Sequence, residues 1–182
     1  GRGNNFVYVA KEADQKKAMQ IIINAKTDKI SACNALDKVL INKELPGYKE
    51  FVCEMIQNLQ QHKVKILGAQ MEEFEGVEPV SGNEVWYEEF LDYKILIGSV
   101  DSNEQAIAMI NKYGGGHSAS ILTENNFEAQ TFMSSVDAAA VYHNASTRFT
   151  DGFQFGLGGE LAISTDKLHQ RGPIGLQHLV TN

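Results

Sequence analysis

Thiols are scarce: the chain has two cysteines in 182 residues. Two thiols exclude a disulfide framework and a four-thiolate zinc site, and they suit a reducing, cytoplasmic setting. Positive charge is also short, with 16 Lys and Arg against 23 Asp and Glu, for a net charge of -7. That balance speaks against nucleic acid or an anionic membrane as partner, since both need clustered cations. No apolar run approaches the roughly 20 residues of a membrane helix. Gly1–Asn5 lacks the apolar stretch of a signal peptide. The histidines at 62, 117, 143, 169 and 178 have no metal-ligand spacing, so no metal is expected. There is no G-x-S-x-G elbow. The Gly-rich run 155–160 is neither a dinucleotide fingerprint nor a P-loop, because it does not join a strand to a helix and lacks the G-K-[ST] ending.

What is present is an ordinary globular composition, 43% hydrophobic and 21% charged, long enough for one sizeable domain. Residues 6–9 read as a strand. Residues 13–26 read as a helix, with Ala18, Ile21, Ile22 and Ala25 on one face. Val39–Ile41 is a strand, 48–62 a helix and 64–67 a strand. Residues 70–84 are acidic and irregular, an expected surface excursion. The apolar run 95–97 suits a strand covered on both faces. Asp101 or Ser102 caps a helix to about 112, which the glycines at 114–116 end. A strand at 118–122, a helix at 126–135 and a buried strand at 138–142 follow. Residues 152–159 are loop, 161–163 a short strand, and the tail from 169 shows no helical period. Alternating strands and helices predict an α/β three-layer domain with a mostly parallel sheet.

Two stretches can carry chemistry. Cys33 lies on a polar connection between the first helix and the second strand, where loops on rigid elements display reactive groups. It reads either as a nucleophile or as a buried structural thiol, the commoner fate of a free cysteine. Lys26 and Lys29 are candidates for a positive field on it, and the backbone N–H groups of Cys33 and Asn34 for stabilising a thiolate or oxyanion. Cys53, at the edge of an apolar helix stripe, reads as structural. The second stretch is 144–152. Its Arg148 can clamp a carboxylate, Asn144, Ser146 and Thr147 offer amide and hydroxyl partners, and Asp151 can hold an amine. The same run also reads as a polar loop satisfying its own backbone.

The runs Asn24–Thr27, Cys33–Ala35 and Asp137–Tyr142 resemble the γ-glutamyl phosphate reductase family of the aldehyde dehydrogenase superfamily. So do the long run NASTRFTDGFQFGLG at 144–158 with Glu160, Lys167–His169 and Arg171–Leu176. The resemblance covers essentially the whole chain. Asp37 and Phe6 depart from the residues usual there, Glu and His.

The resemblance implies an aldehyde dehydrogenase-like catalytic domain with Cys33 as nucleophile. The implied reaction is the NADPH-dependent reduction of L-glutamyl 5-phosphate to glutamate 5-semialdehyde and phosphate, in proline synthesis. A thioester and a thiohemiacetal on Cys33 are the implied intermediates. Asn144, Ser146, Thr147, Arg148, Asp151 and Gly152 then serve as substrate-binding candidates. Glu89 falls where the superfamily carries a carboxylate for the cofactor ribose. Residues 1–168 are expected to form the catalytic domain and 169–182 a tail used in homo-oligomerisation. The nucleotide-binding half is expected to precede residue 1, so the chain alone is expected to be inactive. Two alternatives stay open: another thiol-dependent aldehyde dehydrogenase, and a non-catalytic binding or assembly module.

Overall fold

A computed structural model describes residues 2–178. Seven parallel strands form one sheet. They are β1 (Asn5–Val9), β2 (Leu36–Asn42), β3 (Lys65–Ala69), β4 (Glu78–Val80), β5 (Lys94–Val100), β6 (Ser118–Leu122) and β7 (Ala140–His143), in the order β4-β3-β5-β2-β1-β6-β7. The helices are α1 (Gln15–Thr27), α2 (Tyr48–Gln61), α3 (Glu84–Tyr87), α4 (Asn103–Tyr113) and α5 (Asn126–Ser135). A small antiparallel pair, β8 (Ala162–Ser164) with β9 (Gly172–Ile174), follows.

The central strands β1 and β2 are buried at every position, as a parallel sheet covered on both faces requires. On one face Val7, Val9, Val39, Ile41, Ile95 and Ile97 pack against Ile22 of α1 and Phe51, Met55 and Leu59 of α2. On the other, Phe6, Tyr8, Leu40, Leu96 and Ile121 meet Ala106 and Ile110 of α4 and Phe132 of α5. Pattern and caps agree in placing these helices. Asp14 accepts from the amides of Lys16 and Lys17 at 3.0 and 3.1 Å, and Asn125 caps α5 on Phe127 and Glu128. Ser102, one of the two expected caps, accepts from Gln105 at 3.2 Å. Each such cap stabilises its helix by about 1 kcal/mol.

The fold departs from the pattern in two places. The acidic excursion at 70–84 contains the edge strand β4, whose Pro79 sits where one side needs no ladder partner. The strand expected at 138–142 begins at Ala140 and is half-buried, because β7 is the opposite edge of the sheet. The pairing of β8 with β9 crosses the expected division at 168/169, so the described part of the tail is tied to the residues before it. Residues 179–182 of that tail lie outside the described residues.

Candidate active site

Cys33 lies between α1 and β2, at the amino-terminal rim of the sheet, and is exposed. The next residue fastens it to the second polar stretch. Buried Asn34 donates from Nδ2 to Arg148 O at 3.2 Å and to Thr150 O at 2.9 Å. Buried Thr147 returns its hydroxyl to Asn34 O at 2.9 Å. Two segments more than 110 residues apart in sequence are thus locked together beside the thiol. After β7 the chain turns back over β6, held by Ser120 Oγ to Ala145 O at 2.7 Å and Ser118 Oγ to Thr150 Oγ1 at 2.7 Å.

The substrate-binding candidates fall into different places. Ser146, Arg148 and Asp151 line a polar cleft of ≈ 200 Å³ together with Asn24, Asp28, Phe149 and Gln154. Arg148 directs Nε and Nη2 at Asp28 Oδ2, at 3.2 and 3.1 Å. Ser146 Oγ accepts from the Arg148 amide and Asp151 Oδ1 from the Phe153 amide, so both also brace the loop. Asn144 is turned away from Cys33. At φ 51° it takes the left-handed turn that Asn tolerates, and its amide both donates to and accepts from the Thr123 backbone. Thr147 is fully buried, and the Gly152 N–H is held by Glu160 Oε2 at 2.6 Å.

The electrostatics oppose the field expected from Lys26 and Lys29. Burial raises the Cys33 thiol pKa first, then the charges of Glu160 and Glu89, while Arg148 is a cation that lowers it. Lys26 does not reach the thiol, being fully buried 3.5 Å from Asp37. Burial pushes Lys26 down and Asp37 up despite their approach, so desolvation outweighs the attraction in both. The same network brackets Glu89. Asp37 Oδ2 accepts from Phe90 N at 3.0 Å, and buried Lys38 donates to Glu88 O at 2.7 Å. Glu89 is half-buried at Gly3, where an added Cβ would collide with both its carboxylate and the Cys33 carbonyl. Glu88, by contrast, is exposed and pairs with Lys94 at 3.0 Å.

Cys53 lies at the edge of the apolar stripe of α2 as expected but is exposed, which corrects the structural role given to it. Its position beside the buried stripe of Val52, Met55 and Ile56 is where the helical phase turns outward. Sequence reasoning missed Glu160 as an electrostatic neighbour of Cys33, though it directly continues the 144–158 run. Asn5, adjacent to the Cys33 carbonyl, was missed as well. Among the described residues no cluster of metal-binding side chains occurs.

Residues 74–160 match the model of the aldehyde dehydrogenase family. The γ-glutamyl phosphate reductase of Dictyoglomus thermophilum is 48% identical over all of this chain, which covers 43% of that protein. The crystal structure of the γ-glutamyl phosphate reductase of Thermotoga maritima superposes with a TM-score of 0.94 at 46% identity, covering 100% of this chain and 44% of that one. The chain is related to the γ-glutamyl phosphate reductases. It spans less than half the length of these two relatives. The Saccharomyces cerevisiae γ-glutamyl phosphate reductase shares 29% identity at a TM-score of 0.64, over 91% of this chain and 43% of its own. Alignment to the γ-glutamyl phosphate reductases takes in both segments that meet at Cys33, whereas the aldehyde dehydrogenase model begins beyond the thiol. The fold is the aldehyde dehydrogenase-like α/β fold expected from the sequence.

Proposed function

We propose that this chain supplies the thiol centre of a γ-glutamyl phosphate reductase, converting L-glutamyl 5-phosphate to glutamate 5-semialdehyde and phosphate. One observation carries the reading: Asn34 and Thr147 join the exposed Cys33 to the Arg148 cleft. Cys33 Sγ attacks the acyl carbon, the C–O bond to phosphate breaks, and a thioester forms on the enzyme. The backbone N–H groups of Cys33 and Asn34 receive the charge that develops on the acyl oxygen. Arg148 takes the substrate carboxylate, for which it exchanges Asp28. Ser146 and Asp151 complete the cleft, and Thr147 braces the loop through Asn34, while Asn144 and Gly152 act outside its lining, on Thr123 and Glu160.

The residues present fit a reduced nicotinamide cofactor. Glu89 takes no hydrogen bond among the described residues, and its flanking backbone is pinned on both sides, so it offers a fixed acceptor for ribose hydroxyls. When bound, NADPH supplies the hydride that takes the thioester to the aldehyde oxidation level. In this reading residues 1–168 form the catalytic unit, 169–182 serve homo-oligomerisation, and the enzyme works in the cytoplasm.

The test exposes the protein to acetyl phosphate and maps S-acylation by mass spectrometry. Acylation confined to Cys33 and lost in Cys33→Ala is expected. Equal labelling of Cys33 and Cys53 would sink the reading. In the holoenzyme, NADP+ reduction by glutamate 5-semialdehyde should require inorganic phosphate, and turnover without it would point to a hydrolytic aldehyde dehydrogenase.

A further inference from the structure

The register between β1 and β2 shifts at Asn5–Phe6: Asn5 stands opposite Leu36 but Phe6 opposite Lys38. Such irregularities re-aim side chains, and this one concerns the fully buried Asn5. Its Nδ2 lies 2.8 Å from Gly3 O, 2.8 Å from Cys33 O and 2.7 Å from Ala35 O. Three carbonyls converge on one amide nitrogen, while Oδ1 has no partner among the described residues. The orientation is therefore dictated. Turning the amide over would set its oxygen against three other oxygens.

A planar trans peptide carries its C=O and N–H in opposite directions. The Cys33–Asn34 bond is not cis. With the Cys33 carbonyl drawn inward to buried Asn5, the Asn34 N–H is turned outward, away from Asn5. Among the described residues that N–H meets no acceptor. Gly3 closes the inner side, since its Cα already lies against the Cys33 carbonyl. Were the peptide to rotate, a carbonyl oxygen would face the developing oxyanion and the donor would be lost.

We propose that Asn5 is a positioning residue: it anchors the Cys33 carbonyl so that the Asn34 N–H is held as an oxyanion donor for acyl transfer. This deepens the reading of Cys33 as nucleophile and rests on it. Asn5 touches no reacting atom and acts through one peptide plane.

The test separates two reactions of the same sulfur in a Cys53→Ser background. With p-nitrophenyl acetate, Sγ attacks the carbonyl carbon and p-nitrophenolate leaves. The thiol proton passes to solvent and a thioester remains, so an oxyanion forms on the way. With iodoacetamide, Sγ displaces iodide at a saturated carbon and no oxyanion forms. Asn5→Ala is expected to slow acylation roughly tenfold or more, within the range for a lost oxyanion donor, and to leave alkylation within about twofold. Asn5→Ser, which keeps one donor, should recover part of the acylation rate. Asn4→Ala is the matched control, because buried Asn4 likewise bridges two carbonyls, Trp86 O at 2.7 Å and Tyr113 O at 2.8 Å. Its ratio of acylation to alkylation should stay at the parent value.

Equal loss of both reactions in Asn5→Ala, or loss of neither, would overturn the proposal while leaving Cys33 a nucleophile. Failure of the parent protein to acylate at Cys33 would remove both. A measurement without substitution guards against a variant that does not fold: amide exchange at Asn34 should be fast although its side chain is buried, and protection like that of a strand amide would refute the outward N–H.

Discussion

His117 offers the sharpest test of the packing at the amino-terminal rim. It is 3% exposed, its Nδ1 lies 2.7 Å from Ser118 Oγ, and its Nε2 has no partner among the described residues. Ser118 continues to Thr150, and Thr150 to the Tyr142 hydroxyl at 2.9 Å, so the ring ends a buried hydroxyl chain. Burial pushes the His117 pKa down from 6.5 to about 4. A depressed histidine contributes stability that is present above the unfolded value. That stability is lost as pH falls toward the folded value, because the unfolded chain binds the proton more readily. With these two values the loss between pH 7 and pH 5 is about 2 kcal/mol. His117→Phe removes the titration while keeping a buried ring. Urea unfolding of both proteins at pH 7 and pH 5 isolates the term, since the carboxylates are common to both. The parent should lose about 2 kcal/mol more than the variant over that interval. Parallel pH curves would refute the reasoning.

Two further predictions concern other groups. Lys38 is buried with Nζ 3.6 Å from the Phe90 ring centroid, and burial pushes its pKa down to about 7. Below the folded value the full penalty of the buried charge applies, and it fades as pH rises toward 10.5. Lys38→Met should therefore stabilise the fold by about 1–3 kcal/mol in urea titrations at pH 6 and by less at pH 10. A destabilised variant at pH 6 would show that the bond to Glu88 O outweighs burial. Cys53→Ser, on an exposed helix face, should shift the urea midpoint by no more than about 0.5 kcal/mol, and a larger loss would mean that the thiol packs inward.

Much of the scaffold was legible because periodicity and caps act locally. α5 falls at 126–135 because Asn125 caps it, and α2 within one residue of expectation because it has an amphipathic stripe and a clear end. β4 was not legible: three residues with a proline carry no apolar alternation, and only the neighbouring β3 makes them a strand. Buried charge was equally hidden. Lys26 continues the buried stripe of Ala18, Met19, Ile22 and Ala25, but a lysine at the end of a helix reads as solvated, and only the structure shows it fully buried 3.5 Å from Asp37. At the site, the run 144–152 announced polarity but not its division of labour. Nothing local tells that Arg148 opens to a cleft while Asn144 is taken up by Thr123, because the partners come from α1 and from β6. Asn5 lay just before the expected strand at 6–9 and gave no sign of the three carbonyls it gathers.

The position of Cys33 at the amino-terminal rim has a consequence for its chemistry at rest. A helix that returns antiparallel to the strands brings its carboxyl end to that rim, so α1 presents its negative pole, roughly half an elementary charge, on the thiol side. The macrodipole thus acts in the same direction as Glu89 and Glu160. All three favour the protonated sulfur. Oxidation to sulfenic acid proceeds through the thiolate, so these charges disfavour oxidation of the exposed Cys33 at rest.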